Sequence, residues 1–201
     1  MKSAASLPSN YKPFSIIDTK HNHRLGMKVN FLACGICIVM YYVLFKIAPY
    51  FGASLKGYDQ FSPYFVAVGA VICYIMHEVI HGVAMGILCR ETRPKFRADG
   101  FFAYASSQAF FDFSSYMIIS FAPIVLSILV LCLIVLIMGI EMFWSAALLI
   151  IFTLATAASD FYVAFQMFYK MPVDVMVQDL GVTRVFFSAS PEVTPIALKK
   201  L

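Results

Sequence analysis

The sequence predicts an all-α membrane protein with four transmembrane helices. A short strand or hairpin is expected between the second and third helices, and a small cytoplasmic hairpin after the fourth. Three observations carry that expectation. Apolar residues make up 61% of the 201 positions and charged residues 13%, against roughly 25% charged in an ordinary soluble domain. Between Phe113 and Tyr169, 57 residues hold only two formal charges, Glu141 and Asp160, far more uninterrupted apolar length than a soluble core helix requires. The basic residues, finally, are distributed unevenly among the segments between the apolar runs.

The first span is expected at Val29–Phe45, a 17-residue uncharged run close to the minimum for crossing about 30 Å of hydrocarbon. Gln60–Cys89 is the second, with His77, Glu78 and His81 as its only ionisable acidic, basic or imidazole side chains. Phe113–Ile140 and Met142–Tyr169 supply the third and fourth, joined by a tight turn at Glu141. Lysine and arginine number five before the first span, four in the loop after the second and four in the tail, against only Lys46 and Lys56 on the other side. That asymmetry predicts cytoplasmic N- and C-termini of a multi-pass protein in the cell membrane, with Tyr58 and Trp144 as outer interfacial aromatics.

Residues 1–28 thus read as a cytoplasmic N-terminal segment, 29–169 as the four-helix transmembrane domain and 170–201 as a cytoplasmic tail. The loop Arg90–Asp112 begins basic and turns aromatic at Phe101, Phe102, Tyr104, Phe110 and Phe111, which predicts a strand or hairpin at the cytoplasmic interface. In the tail, Val173, Val175 and Val177 alternate, Gln178-Asp179-Leu180-Gly181 reads as a turn, and Val182–Phe187 returns. The modest net charge of +4 does not mark a nucleic-acid partner. Five cysteines, all within apolar stretches, do not read as a secreted disulfide framework. No cleavable signal peptide is expected, because 28 fairly polar residues precede the first apolar run. Cys34 and Cys37 form a C-x-x-C inside the first span and read as small apolar residues, while His21 and His23 read as part of a solvated loop.

The chemistry is expected at His77-Glu78-Val79-Ile80-His81. A carboxylate within a span costs about 2.5–3.5 kcal/mol on insertion scales, which marks Glu78 as a functional candidate. Spacing of i and i+4 puts both histidines on one helix face, where two ring nitrogens reach one metal ion. Glu78 is rotated by about 100° from that stripe, beside the metal rather than on it, placed to take a proton from a water whose pKa the metal lowers to about 7. With four His and four Glu in 201 residues, an HExxH arises by chance in about 0.2% of such chains. The competing reading is a pair of membrane histidines bonded to helix carbonyls beside a neutral Glu78.

A catalytic zinc takes a third protein ligand and keeps one position open. Asp160 is the one carboxylate within another span, and depth supports it. Counted inward from Pro63, His77 lies about 21 Å and His81 about 27 Å down, and Asp160 lies about 24 Å from Trp144. An unrelated lining residue or helix cap is the alternative for Asp160. Gly82 and Gly86 follow Glu78 by four and eight residues, so a second backbone, substrate or neighbouring helix, is expected close beside the carboxylate.

On these residues the chain resembles the zincin membrane peptidases, a bacterial family distantly similar to the site-2 intramembrane zinc metalloproteases. The matching elements are HEVIHG at His77–Gly82, Phe121-Ala122-Pro123, Ala158-Ser159-Asp160 and the tail aspartates Asp174 and Asp179, which together span about Gln60 to Phe187. The resemblance implies His77, His81 and Asp160 as zinc ligands, Glu78 as general base, and the aromatic loop as a membrane-associated strand that presents substrate in extended form. The Leu-Asp-Gly pattern of the site-2 enzymes is absent, and Phe161 follows Asp160.

The expected function is therefore a membrane-embedded zinc metalloprotease cutting a peptide bond in or near a transmembrane segment, with a membrane protein or peptide as substrate and the lipid bilayer as surroundings. The alternatives are a non-proteolytic zinc-binding membrane protein and a divalent-metal permease. A permease calls for further ionisable residues in the outward half of the spans, and this chain has no acidic, basic or imidazole side chain there.

Overall fold

A computed structural model describes residues 3–53, 62–99 and 102–189. Lys2, Lys56, Tyr58, Asp59, Gln60, Phe101, Lys199 and Lys200 lie outside these residues. In chain order the elements are β1 (Lys12–Asp18), α1 (His23–Ile47), α2 (Pro63–Leu88), β2 (Lys95–Asp99), β3 (Phe102–Ser106), β4 (Phe110–Asp112), α3 (Phe113–Met138), α4 (Phe143–Thr156), α5 (Ala158–Lys170), β5 (Met176–Asp179) and β6 (Thr183–Ser188). Short 3₁₀ turns follow α1 and precede α4.

Helix starts are set by local side chains that satisfy the first free N–H groups. Asn22 Oδ1 accepts from Leu25 N at 3.2 Å for α1, Ser62 Oγ from Phe65 N at 3.3 Å for α2, and Asp112 Oδ1 from Ser115 N at 2.9 Å for α3. Pro63 opens α2, where its missing N–H costs nothing. His23, read from sequence as loop, is the first residue of α1, and His21 Nδ1 lies 2.8 Å from Asp18 Oδ2.

Three helices, 23–51 with its 3₁₀ extension, 63–88 and 113–138, are long and apolar enough to cross a membrane. The expected fourth span differs from a straight crossing. The chain leaves helix at Ala157, so α4 and α5 form a bent pair that counts as a fourth span only if taken together. Thr156 Oγ1 donates back to the Thr153 carbonyl at 2.9 Å near this break, a side-chain bond of the kind that competes with the helix ladder.

The all-α expectation is corrected by six strands among the described residues. The β2–β3 hairpin falls in the aromatic loop, as expected, and pairs Lys95 with Ser106 through Asp99 with Phe102. The tail hairpin β5–β6 is also present, but it does not stand alone. It lies inside a four-stranded antiparallel sheet of order β1-β6-β5-β4. Strand β1, in the segment read from sequence as a polar N-terminal end with no strand expected, pairs with β6 so that Ile17 lies opposite Arg184. Val173, expected in the strand, is instead fully exposed ahead of β5.

The chain forms two compact units: residues 1–27, 78–122 and 159–201 make one, and 28–77 with 123–158 the other. In the first, Met85, Phe111, Tyr116, Ile119, Val163, Val177 and Phe186 form a core between the sheet and three helices. The second is packed through small and branched residues, among them Ala48, Ala147 and Ile151 in one cluster and Leu131, Ala146 and Leu149 in another. Much of the remaining helix surface is apolar and exposed, including Phe31 at 77% and Leu136 at 80%.

Candidate metal centre

The face of α2 that carries HEVIH points into protein. His77 is 4% exposed, His81 7% and, on α5, Asp160 3%. His77 stands one residue before the division between the two units, on the unbroken helix that carries Glu78 and His81, so four residues of helix fix it against His81. One ligand atom from each of His77, His81 and Asp160 lies within 4.8 Å of the others. The break at Ala157 matters here, because it starts a new helix three residues before Asp160. The carboxylate thereby occupies the first turn of α5, where the helix dipole favours negative charge. Phe161 behind it packs edge-on against Phe121, their ring centres 5.6 Å apart.

His81 Nε2 and Asp160 Oδ2 are 3.3 Å apart. A tetrahedral zinc site with bonds of about 2.0–2.1 Å has edges of about 3.3–3.4 Å, so this pair is spaced as two ligands of one ion. Two neutral imidazoles and one carboxylate are also the donor set of known catalytic zinc sites that leave a position open. The residues present therefore fit a zinc ion.

Glu78 is outside this trio, and its Oε2 accepts the backbone N–H of Ala105 in β3 at 2.8 Å. It stands beside the two histidines, fixed by the hairpin. The two glycines after it do meet a close neighbour, but a different one from the backbone expected. A side chain at Gly82 would collide with the ring of Phe96 in β2, and one at Gly86 would touch Pro94 at 3.5 Å. The protein's own hairpin, through side chains, fills the space.

Sequence reasoning missed Arg184, counted only as a basic residue of the tail. Its Nη2 donates to Asp160 Oδ1 at 2.9 Å and its Nε to Asp179 Oδ2 at 3.4 Å. Tyr116 OH donates to the same Asp179 oxygen at 3.3 Å. Arg184 is 7% exposed and Asp179 4%. Burial works against the guanidinium charge, but Tyr116, Asp179 and Asp160 more than offset it, so its pKa is raised and the group stays charged. One signal was available in the sequence: in the alternating strand Thr183–Ser188, Arg184 shares its face with Phe186, and that face is the buried one.

No curated protein and no solved structure matches the chain. The profile of the family described as "Putative zincin peptidase" matches residues 70–175, which is more than half of the chain and includes His77, Glu78, His81 and Asp160. The chain belongs to that zincin peptidase family.

Proposed function

We propose that the protein is a membrane-embedded zinc metallopeptidase that hydrolyses a peptide bond in or near a transmembrane segment of another membrane protein or peptide. His77, His81 and Asp160 hold the ion, and Glu78 is the general base. The convergence of two histidines from α2 with a carboxylate from α5, 79 residues further on, is the observation that carries the reading. The long apolar helices with exposed outer faces support a bilayer as the surroundings, and the lysine and arginine asymmetry supports cytoplasmic termini.

A bound zinc ion supplies the Lewis acidity that makes water nucleophilic near neutral pH and polarises the scissile carbonyl. The rest belongs to the chain. Glu78, oriented by the N–H of Ala105, takes the proton of the attacking water and delivers it to the leaving amine. The two-stranded β2–β3 sheet offers main-chain pairing to a substrate segment, which must leave its helical form before its peptide bond is reachable. Burial of the three ligands keeps bulk water from competing for the ion.

The test is Glu78→Gln, purified in detergent beside wild type and assayed for zinc content and for cleavage of co-expressed membrane substrates. Equal zinc with cleavage lower by about 10²–10⁴-fold is expected, the usual contribution of a general base. Cleavage that needs no zinc, or a wild type without bound metal, would overturn the assignment; zinc held equally by both with no cleavage by wild type would leave a metal-binding membrane protein instead.

A further inference from the structure

Asp160 divides its two oxygens between two partners. Oδ2 faces His81 Nε2 at 3.3 Å, and Oδ1 accepts Arg184 Nη2 at 2.9 Å. The guanidinium reaches on to Asp179, whose Oδ2 also accepts from Tyr116 and whose Oδ1 accepts from Gly181 N at 2.8 Å. A connected path thus runs from the β5–β6 turn through Asp179 and Arg184 to Asp160 and His81, and every side chain along it is buried. The two carboxylates are held by two different nitrogens of one rigid planar fork. An ammonium group has three donors, but they share a single nitrogen on a flexible stem and cannot reproduce that spacing.

The need for such a group follows from where Asp160 sits. It occupies the first turn of a helix that begins just past a break. Strand β6, by contrast, is paired on both sides, by β1 and by β5. Arg184 therefore ties a carboxylate at a helix start to a strand in the interior of the sheet. Oδ1 accepts from the guanidinium, and Oδ2 is the oxygen that faces His81.

We propose that Arg184 is a positioning residue of the metal centre: it fixes Asp160 as a one-oxygen ligand and couples the terminal sheet to metal affinity. This rests on the reading of His77, His81 and Asp160 as the zinc ligands. Groups that orient metal ligands in this manner typically contribute 10–100-fold to affinity.

The whole 201-residue chain in detergent provides the test, with zinc affinity measured by competition against a chromophoric chelator. Cobalt(II) absorption reports ligand geometry, and thermal unfolding of the metal-free protein reports folding. Arg184→Met is expected to bind zinc about 10–100-fold more weakly than wild type. Arg184→Lys, which keeps the charge and loses the fork, is expected to fall between them with an altered cobalt spectrum. A purely structural role would lower the metal-free unfolding temperature and leave affinity and spectrum of the folded protein unchanged; that result in either variant overturns the proposal. If Arg184→Met does not fold, Arg184→Lys alone decides by the same two readouts. Asp160→Asn separates the two claims: a wild type that takes up no zinc, or an Asp160→Asn protein that binds it undiminished, overturns the ligand set and the role of Arg184 with it.

Discussion

The two carboxylates of the site accept different donors. Glu78 takes a main-chain N–H from β3, whereas Asp160 takes a guanidinium. On the proposed reading, the first arrangement orients the proton acceptor and the second anchors a metal ligand. At the same scale, a carboxylate outside the site sets part of the pH dependence of stability. Asp18 Oδ1 accepts the backbone N–H groups of Lys20 at 3.0 Å and His21 at 2.9 Å. Its partial burial pushes the pKa up, but the hydrogen bonds from His21 and Lys20 outweigh this, and the pKa is lowered. A carboxylate whose folded pKa lies below its unfolded one stabilises fully above the unfolded value, near about 3.9, and loses that contribution as pH falls through the folded value. Thermal unfolding of wild type and Asp18→Asn should therefore differ at pH 6, with the difference shrinking progressively as pH falls below about 4.

At the scale of elements, the β5–β6 turn links local backbone geometry to the site. Gly181 has φ +92°, and a side chain there would also run into the ring of Tyr104 in β3. The left-handed conformation alone costs a non-glycine residue about 1–2 kcal/mol. Gly181→Ala should lower the unfolding temperature accordingly and, because its N–H positions Asp179, weaken zinc binding in the same chelator competition. This turn was legible in Gln178-Asp179-Leu180-Gly181, and so was the β2–β3 hairpin in its aromatic loop, since both are built from neighbouring residues. The break between α4 and α5 was not. Ala157 is itself an ordinary helix residue, and although Thr153, Thr156, Ser159 and Asp160 are polar residues of the kinds found at helix caps, their presence does not say at which of them the helix ends.

At the scale of the molecule, the sheet joins the two ends of the chain. Ile17 in β1 is 7% exposed, belongs to the core that includes Phe186, and lies opposite Arg184 in the register. Ile17→Ala should cost about 2–4 kcal/mol, read as a lower unfolding temperature of the metal-free protein. Zinc affinity should fall as well, since β1 supports the strand that holds Arg184.

Run length and i, i+4 spacing are properties of neighbouring residues. They were enough to determine the long apolar helices, the two hairpins and the pairing of His77 with His81 beside Glu78. Asp160 was reachable as the one carboxylate within another apolar run, although the rise counted to it from Trp144 assumed a straight helix that the break at Ala157 interrupts. Tertiary structure alone decided that the N-terminal segment is a strand, that the tail hairpin is the middle of a sheet, and that Arg184 reaches Asp160. Each of these depends on backbone or charge partners distant in the chain, 167 residues apart for Ile17 and Arg184. A strand of seven residues declares itself only when another strand supplies the missing hydrogen bonds, and a buried arginine only when the fold brings carboxylates around it.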